Sequence, residues 1–232
     1  MNYFEENINL YLGQFKELRK YYPNLKDQME SGNLFLRGEV CFNEDFNTGF
    51  WIDDCYVVEI AFSANYPNAL PSVKEIGGKI ERYYPHFNKN GTGTLCLGTD
   101  VDLWLRFSKK RSILQFVYEL LIPALYAHAY WKEKGVIPPW GDRPHGTAGI
   151  IQFYSELFKV KDLYAILRLI GFVANRNYDG SLSCPCGSAK SLNECHGEMI
   201  LNLLNNVPPE YLIKEYNEML MGYFKYFKRP IA

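Results

Sequence analysis

The sequence predicts an α+β fold with a small metal-holding tail. Three observations carry this: an opening stripe of helical period, a meander of short β-branched and aromatic runs, and a knot of cysteines late in the chain. From Tyr3 to Tyr22, Phe4, Ile8, Tyr11, Phe15 and Leu18 recur at three- and four-residue steps, which predicts a helix ending before Pro23. Asn33 to Phe42, Asp54 to Phe62 and Ser72 to Ile76 follow, separated by Asn, Asp, Gly and Pro, and read as antiparallel strands. Cys41 and Cys55 fall inside these runs and read as structural thiols, small apolar packing groups. Tyr83 to Asp100 has neither period and is a loop of the kind that carries chemistry. Ser112 to Trp131 is predicted as a long helix. Its apolar stretch from Ile113 is interrupted by Gln115, Glu119, Pro123 and His128, so a buried helix fits better than a membrane span. Further helices are predicted over Gly149–Phe158, Lys161–Asn175 and Glu210–Lys228, with a hinge at Asn175–Ser181. The implied domains are residues 1–175 and 176–232.

At 232 residues the chain is long enough for one domain and a smaller one. Its 47% hydrophobic and 22% charged residues are globular values, which excludes extended disorder. With 25 basic and 26 acidic residues there is no global positive field to hold nucleic acid or an anionic membrane. Glu5 and Glu6 stand where a secretory signal would be basic, so no export is expected. The uneven cysteines, with Cys184, Cys186 and Cys195 within a dozen residues, suggest metal in a reducing cytosol rather than a disulfide scaffold.

The segment Tyr66-Pro67-Asn68-Ala69-Leu70-Pro71-Ser72-Val73, then a Pro-containing loop, Leu95-Cys96-Leu97 and Trp104 eight residues past the cysteine follow the opening helix and meander. In that order they resemble the ubiquitin-conjugating enzymes over residues 3 to 135. The resemblance implies a UBC-like fold and a thioester formed at Cys96 with a protein C-terminus, then passed to an amine. The setting of Cys96 agrees, since Gly91, Gly93 and Gly98 let a substrate chain approach the backbone closely. The family's oxyanion donor is the Asn of a His-Pro-Asn loop, but here the chain reads Tyr84-Pro85-His86. Aligning the proline selects His86; counting eight residues back from Cys96 selects Asn88. A neutral His86 can donate a hydrogen bond and take a proton, whereas Asn88 can only hydrogen-bond. Asp100 and Asp102 are the nearest acids to orient an attacking amine, with a solvated turn as the plainer reading of both. The loop Trp140–Gly146, with His145, is dense enough in polar residues to lie over a groove. Position 102 is Asp where a phosphatase loop needs Arg, and the loop lacks the contexts of a papain-like thiol and of a nucleotide-binding P-loop. Lys109-Lys110-Arg111 and the tail residues Lys225, Lys228 and Arg229 read as solvated faces.

Cys184-Pro185-Cys186-Gly187-Ser188 followed by Cys195-His196-Gly197 resembles the SEC-C zinc motif. Three thiolates and an imidazole satisfy tetrahedral zinc, and four protein ligands leave no open position, so the expected role is structural or docking. Cys184 and Cys186 are too close for an unstrained disulfide.

The expectation is a cytoplasmic, bacterial-type, cysteine-dependent acyl transferase. Its donor would be the C-terminus of a ubiquitin-like protein or a nucleotidyltransferase, its acceptor an amine; neither membrane nor specific nucleic acid is expected as partner. The resemblance also implies a place in antiphage defence, where relatives of this fold modify a cyclic-oligonucleotide synthase. The alternative is a non-catalytic scaffold that presents a groove and a zinc knob to a protein; a hydrolase using Cys96 is a third reading.

Overall fold

Residues 8–88, 91–140, 143–175 and 177–227 are described by the computed structural model. Tyr3, Phe4, Glu5 and Glu6 of the expected opening helix lie outside them, as do Lys228 and Arg229. By its contacts the chain divides into two units, Met1–Leu97 with Lys109–Asp142 and Gly98–Ser108 with Arg143–Ala232. The helices expected over residues 149–175 thus group with the cysteine-rich segment and not, as a boundary at 175 has it, with the sheet.

The first unit opens with helix α1 (Ile8–Leu18), whose Tyr11, Phe15 and Leu18 are buried at the spacing of one helical face. Four antiparallel strands follow in the order β1-β2-β3-β4: β1 (Lys26–Glu30), β2 (Asn33–Glu44), β3 (Ile52–Ala61) and β4 (Ser72–Glu75). The alternation of β2 and β3 buries Leu36, Val40, Phe42, Tyr56, Val58 and Ile60 on one face and turns their neighbours outward. Strand β1 was not anticipated. All its residues are exposed and it has no apolar alternation to read; it is held by its register on β2, Lys26↔Arg37 to Glu30↔Asn33. Arg37 bonds Glu30, Gln28 and Glu59 across the sheet edge.

Helix α2 (Asp100–Phe107) belongs to the second unit, and the chain returns to the first with α3 (Ile113–Phe116). A π-helical turn, Val117–Leu121, leads from α3 into α4 (Ile122–Lys134). The single predicted helix therefore carries a widened turn just before Pro123, which has no N–H and whose ring crowds the preceding turn. Helix α4 packs on β2 and β3, and His128, buried among the apolar groups, takes Tyr56 and Glu81 as partners. No helix among the described residues is long and apolar enough to cross a membrane.

The reading of Cys41 and Cys55 as apolar fillers is corrected here. They face each other in the β2–β3 register and form a disulfide. Both point to the outer face, because Val40, Phe42 and Tyr56 take the inward positions, so neither sulfur fills the core.

The second unit is helical: α2, α5 (Thr147–Phe158), α6 (Leu163–Asn175), α7 (Gly197–Asn206) and α8 (Pro209–Phe227). Helix α8 packs against α5, α6 and α2. The approach to α6 is close at Gly171, where a Cβ would stand 3.1 Å from the Tyr216 hydroxyl. Trp104 is fully buried in α2, its ring 5.7 Å from Phe107 and 5.5 Å from Tyr211. Glu215 of α8 is buried and accepts the first-turn N–H of Val101 at 3.0 Å, capping a helix whose own Thr99 supplies no side-chain cap. Helices α2 and α7 were missed because each is short and only in part apolar.

Candidate functional site

The loop after β4 folds back as a narrow hairpin. Leu95 donates its N–H to the Val73 carbonyl at 2.8 Å, tying the return limb to the sheet. Phe87 pairs with Leu95 as an antiparallel bridge; Asn88 N–H reaches the Thr94 carbonyl at 2.9 Å, and Cys96 N–H reaches the His86 carbonyl at 2.8 Å. Gly91 and Gly93 sit at φ +88° and +66° in the turn, where residues with a Cβ are strained. The hairpin register fixes which residues stand opposite one another. It sets His86 opposite Cys96, with an imidazole nitrogen and the Cys96 sulfur within 4.8 Å of one another. Asn88 stands opposite Thr94 instead, its side-chain amide donating to Thr94 Oγ1 at 3.0 Å.

Cys96 is half-buried and is not part of a disulfide. The limb that carries His86 is braced from beneath. The buried Tyr84 ring stands 5.6 Å from the His86 ring and 4.9 Å from His128, both edge-on. Tyr56 Oη lies 2.8 Å from His128 Nδ1, and His128 Nε2 lies 3.0 Å from Glu81 Oε2. An Nε2–H facing the carboxylate leaves Nδ1 to accept from the phenol. Burial lowers the His128 pKa despite the Glu81 carboxylate, while the bonds from His128 and Lys132 pull Glu81 down to about 2. Neither Glu81 nor His128 was given a role from the sequence; the only signal was His128 as one of the polar interruptions of an apolar stretch.

Asp100 lies in the second unit, where its carboxylate accepts from Lys214 Nζ at 2.6 Å. Asp102 accepts from Arg143 Nη1 at 3.1 Å, and Arg143 also bonds Glu156. Both acids thus hold the second unit's own cations. His145 is exposed, and Gly141 and Asp142 of its loop lie outside the described residues.

The four expected ligands of the cysteine-rich segment do converge. Cys184 Sγ, Cys186 Sγ, Cys195 Sγ and a His196 nitrogen lie within 4.8 Å of one another and can hold a metal ion. His196 Nδ1 is 3.2 Å from both Cys184 Sγ and Cys195 Sγ, and the Cys186 and Cys195 sulfurs are 3.6 Å apart. Ligands about 2.3 Å from a tetrahedral ion stand roughly 3.7 Å from each other, so the cluster has the size of such a shell. His196 Nε2 lies 2.9 Å from the Phe158 carbonyl; donation there leaves Nδ1 as the lone pair facing the sulfurs. Gly187, at φ +88°, closes the turn with its N–H on the Cys184 carbonyl at 3.1 Å. Burial pushes the Cys184 thiol up to about 12, whereas at Cys186 the burial is outweighed by hydrogen bonds with Ser188 and Cys184, which pull that thiol down to about 6; a bound cation would displace the remaining protons. Ser188, part of the quoted motif, stands with its Oγ 3.3 Å from Cys195 Sγ, whereas the Phe158 carbonyl had no signature in the sequence.

Compared with protein-family models, with curated proteins and with solved structures, the chain matches none.

Proposed function

We propose that this chain is a cysteine-dependent acyl transferase of the ubiquitin-conjugating kind. The observation that carries the reading is the hairpin register in which Cys96 N–H bonds the His86 carbonyl and the imidazole comes within 4.8 Å of the sulfur. A half-buried thiol beside an imidazole is a nucleophile with a proton acceptor at hand. The succession of helix, four-stranded antiparallel meander, cysteine hairpin and long helix supports the UBC-like reading of the fold.

In this reading Cys96 attacks the activated C-terminal carbonyl of a protein donor. The C–S bond forms as the leaving group departs, and the thiol proton passes to His86 or solvent. An acceptor amine then attacks the thioester, expelling the Cys96 thiolate and forming an amide. His86 is the group placed to take the proton or steady the oxyanion. Asn88, bonded to Thr94, shapes the hairpin; Asp100, bonded to Lys214, is assigned no step. Zinc is the metal proposed for Cys184, Cys186, Cys195 and His196, in a SEC-C-like centre with a structural or docking role. The donor is a ubiquitin-like protein or nucleotidyltransferase C-terminus, and cytosolic antiphage defence is the proposed setting.

The test is a Cys96→Ser variant co-expressed with its genomic neighbours and followed by intact mass spectrometry. The reading expects a labile, thiol-sensitive adduct on the native protein and a stable oxyester on the variant. A scaffold gives no covalent species on either, and the engagement of Asn88 by Thr94 is what favours that rival; a hydrolase gives cleaved product instead.

A further inference from the structure

Cys41 and Cys55 are opposed in neighbouring antiparallel strands, with Cα atoms 4.1 Å apart, the close approach of a pair that shares no ladder hydrogen bonds. Both residues are exposed, on the outer face between the pairs Glu39↔Val57 and Asn43↔Asp53. The β2–β3 ladder continues on both sides, from Phe35↔Ala61 to Glu44↔Ile52. The backbone therefore holds the two side chains in register whether or not the sulfurs are joined. Cross-linking residues 14 apart stabilises chiefly by restricting the unfolded loop, and nothing in the buried face depends on it, since the core residues point the other way. Lys79 Nζ bonds the Cys55 carbonyl at 3.2 Å and also pairs with Asp54, which anchors the backbone at Cys55 independently of its sulfur.

We propose that Cys41 and Cys55 form a reversible thiol–disulfide exchange site of the folded protein, whose reactants are small thiols and their disulfides. A thiolate attacks one of the two sulfurs, the S–S bond breaks, and the other sulfur leaves as a thiolate that takes up a proton. The mixed disulfide is then attacked by a second small thiol. The protein ends with two thiols, and the small thiols, having lost two electrons and two protons, end as their own disulfide. The reverse sequence, with a small disulfide as oxidant, closes the pair again. This site uses neither Cys96 nor any residue of the cysteine-rich cluster, and its existence does not depend on the acyl-transfer reading.

The experiment is incubation of the native, full-length protein in glutathione buffers of graded ratio, followed by acid quench, alkylation and peptide mass spectrometry. Residues 41 and 55 are expected to open and close together as a two-electron unit, with a glutathionyl adduct on one of them as the intermediate. Amide protection across β2 and β3 should persist on opening, lowered by up to about a hundredfold where exchange runs through global unfolding, the loss expected when a loop of this length is released. A bond that resists millimolar thiol until denaturant is added overturns the proposal, as does an opening that abolishes β2–β3 protection. A Cys41→Ser/Cys55→Ser double variant gives a second measure: it is expected to fold with the same strands protected, at the lowered level of the opened protein, and failure to fold marks the bond as a structural staple.

Discussion

The register of one hairpin separates two residues that alignment leaves equivalent. With His86 across from Cys96 and Asn88 tied to Thr94, replacing His86 by Gln removes the only group of the pair able to take a proton. The Cys96 alkylation rate at neutral pH is then expected to fall roughly tenfold, for want of a proton acceptor beside the sulfur. Asn88→Ala should leave that rate unchanged and lower stability by about 1 kcal/mol, the usual worth of a lost hydrogen bond. Rates read by mass spectrometry across pH check both, and an equal effect of the two variants would remove His86 from its assigned place. At this scale the convergence of Cys184, Cys186, Cys195 and His196 was legible, because thiols and imidazoles at set spacings have few other uses. The choice between His86 and Asn88 was not, since a glycine-rich turn carries no period from which to count register. The outward positions of Cys41 and Cys55 could be inferred from alternation with Val40, Phe42 and Tyr56; that they oppose each other could not, because pairing depends on the length of the connecting loop.

Among the elements, those with a strong apolar period were foreseen and those held by particular polar partners were not. Strand β1 is polar but for the exposed Met29 and is fastened by the ladder and by Arg37. Arg37→Ala is expected to raise amide exchange across Lys26–Glu30 at a global cost of about 1–2 kcal/mol, since Gln28 and Glu30 are exposed but the largely buried Glu59 carboxylate loses its guanidinium. Loss of protection throughout β2 and β3 as well would contradict that division. Helix α7 begins directly after Cys195 and His196, and His196 is bonded to the end of α5 through the Phe158 carbonyl. Taking a metal from this cluster should therefore loosen the first turn of α7 before the rest of the helix. Chelation, or Cys184→Ser with Cys186→Ser, is expected to release about one ion per chain and raise exchange over residues 197–200. An unchanged ion content after both replacements would disprove the ligand set.

For the whole molecule, the two units contain buried titratable groups of opposite sign. In the first, burial lowers the pKa of His128; below the ordinary histidine pKa of about 6.5 the unfolded chain takes a proton that the folded unit refuses, so stability falls as pH falls. In the second, burial raises Glu215 to about 7, with the Val101 N–H only partly offsetting it. Between about 4.5 and 7 the folded unit keeps a proton that the unfolded chain releases, so stability falls as pH rises, by about 3 kcal/mol over that window. The wild-type-minus-variant difference isolates each group from the acid lability of the thiolate cluster. Protection of the α4 amides relative to His128→Gln should increase from pH 5 to 7. Protection of the α8 amides relative to Glu215→Gln should decrease over the same interval. Two differences that run in the same direction would mean that the units respond as one body or that one of the buried groups titrates normally; a flat α8 difference would single out Glu215.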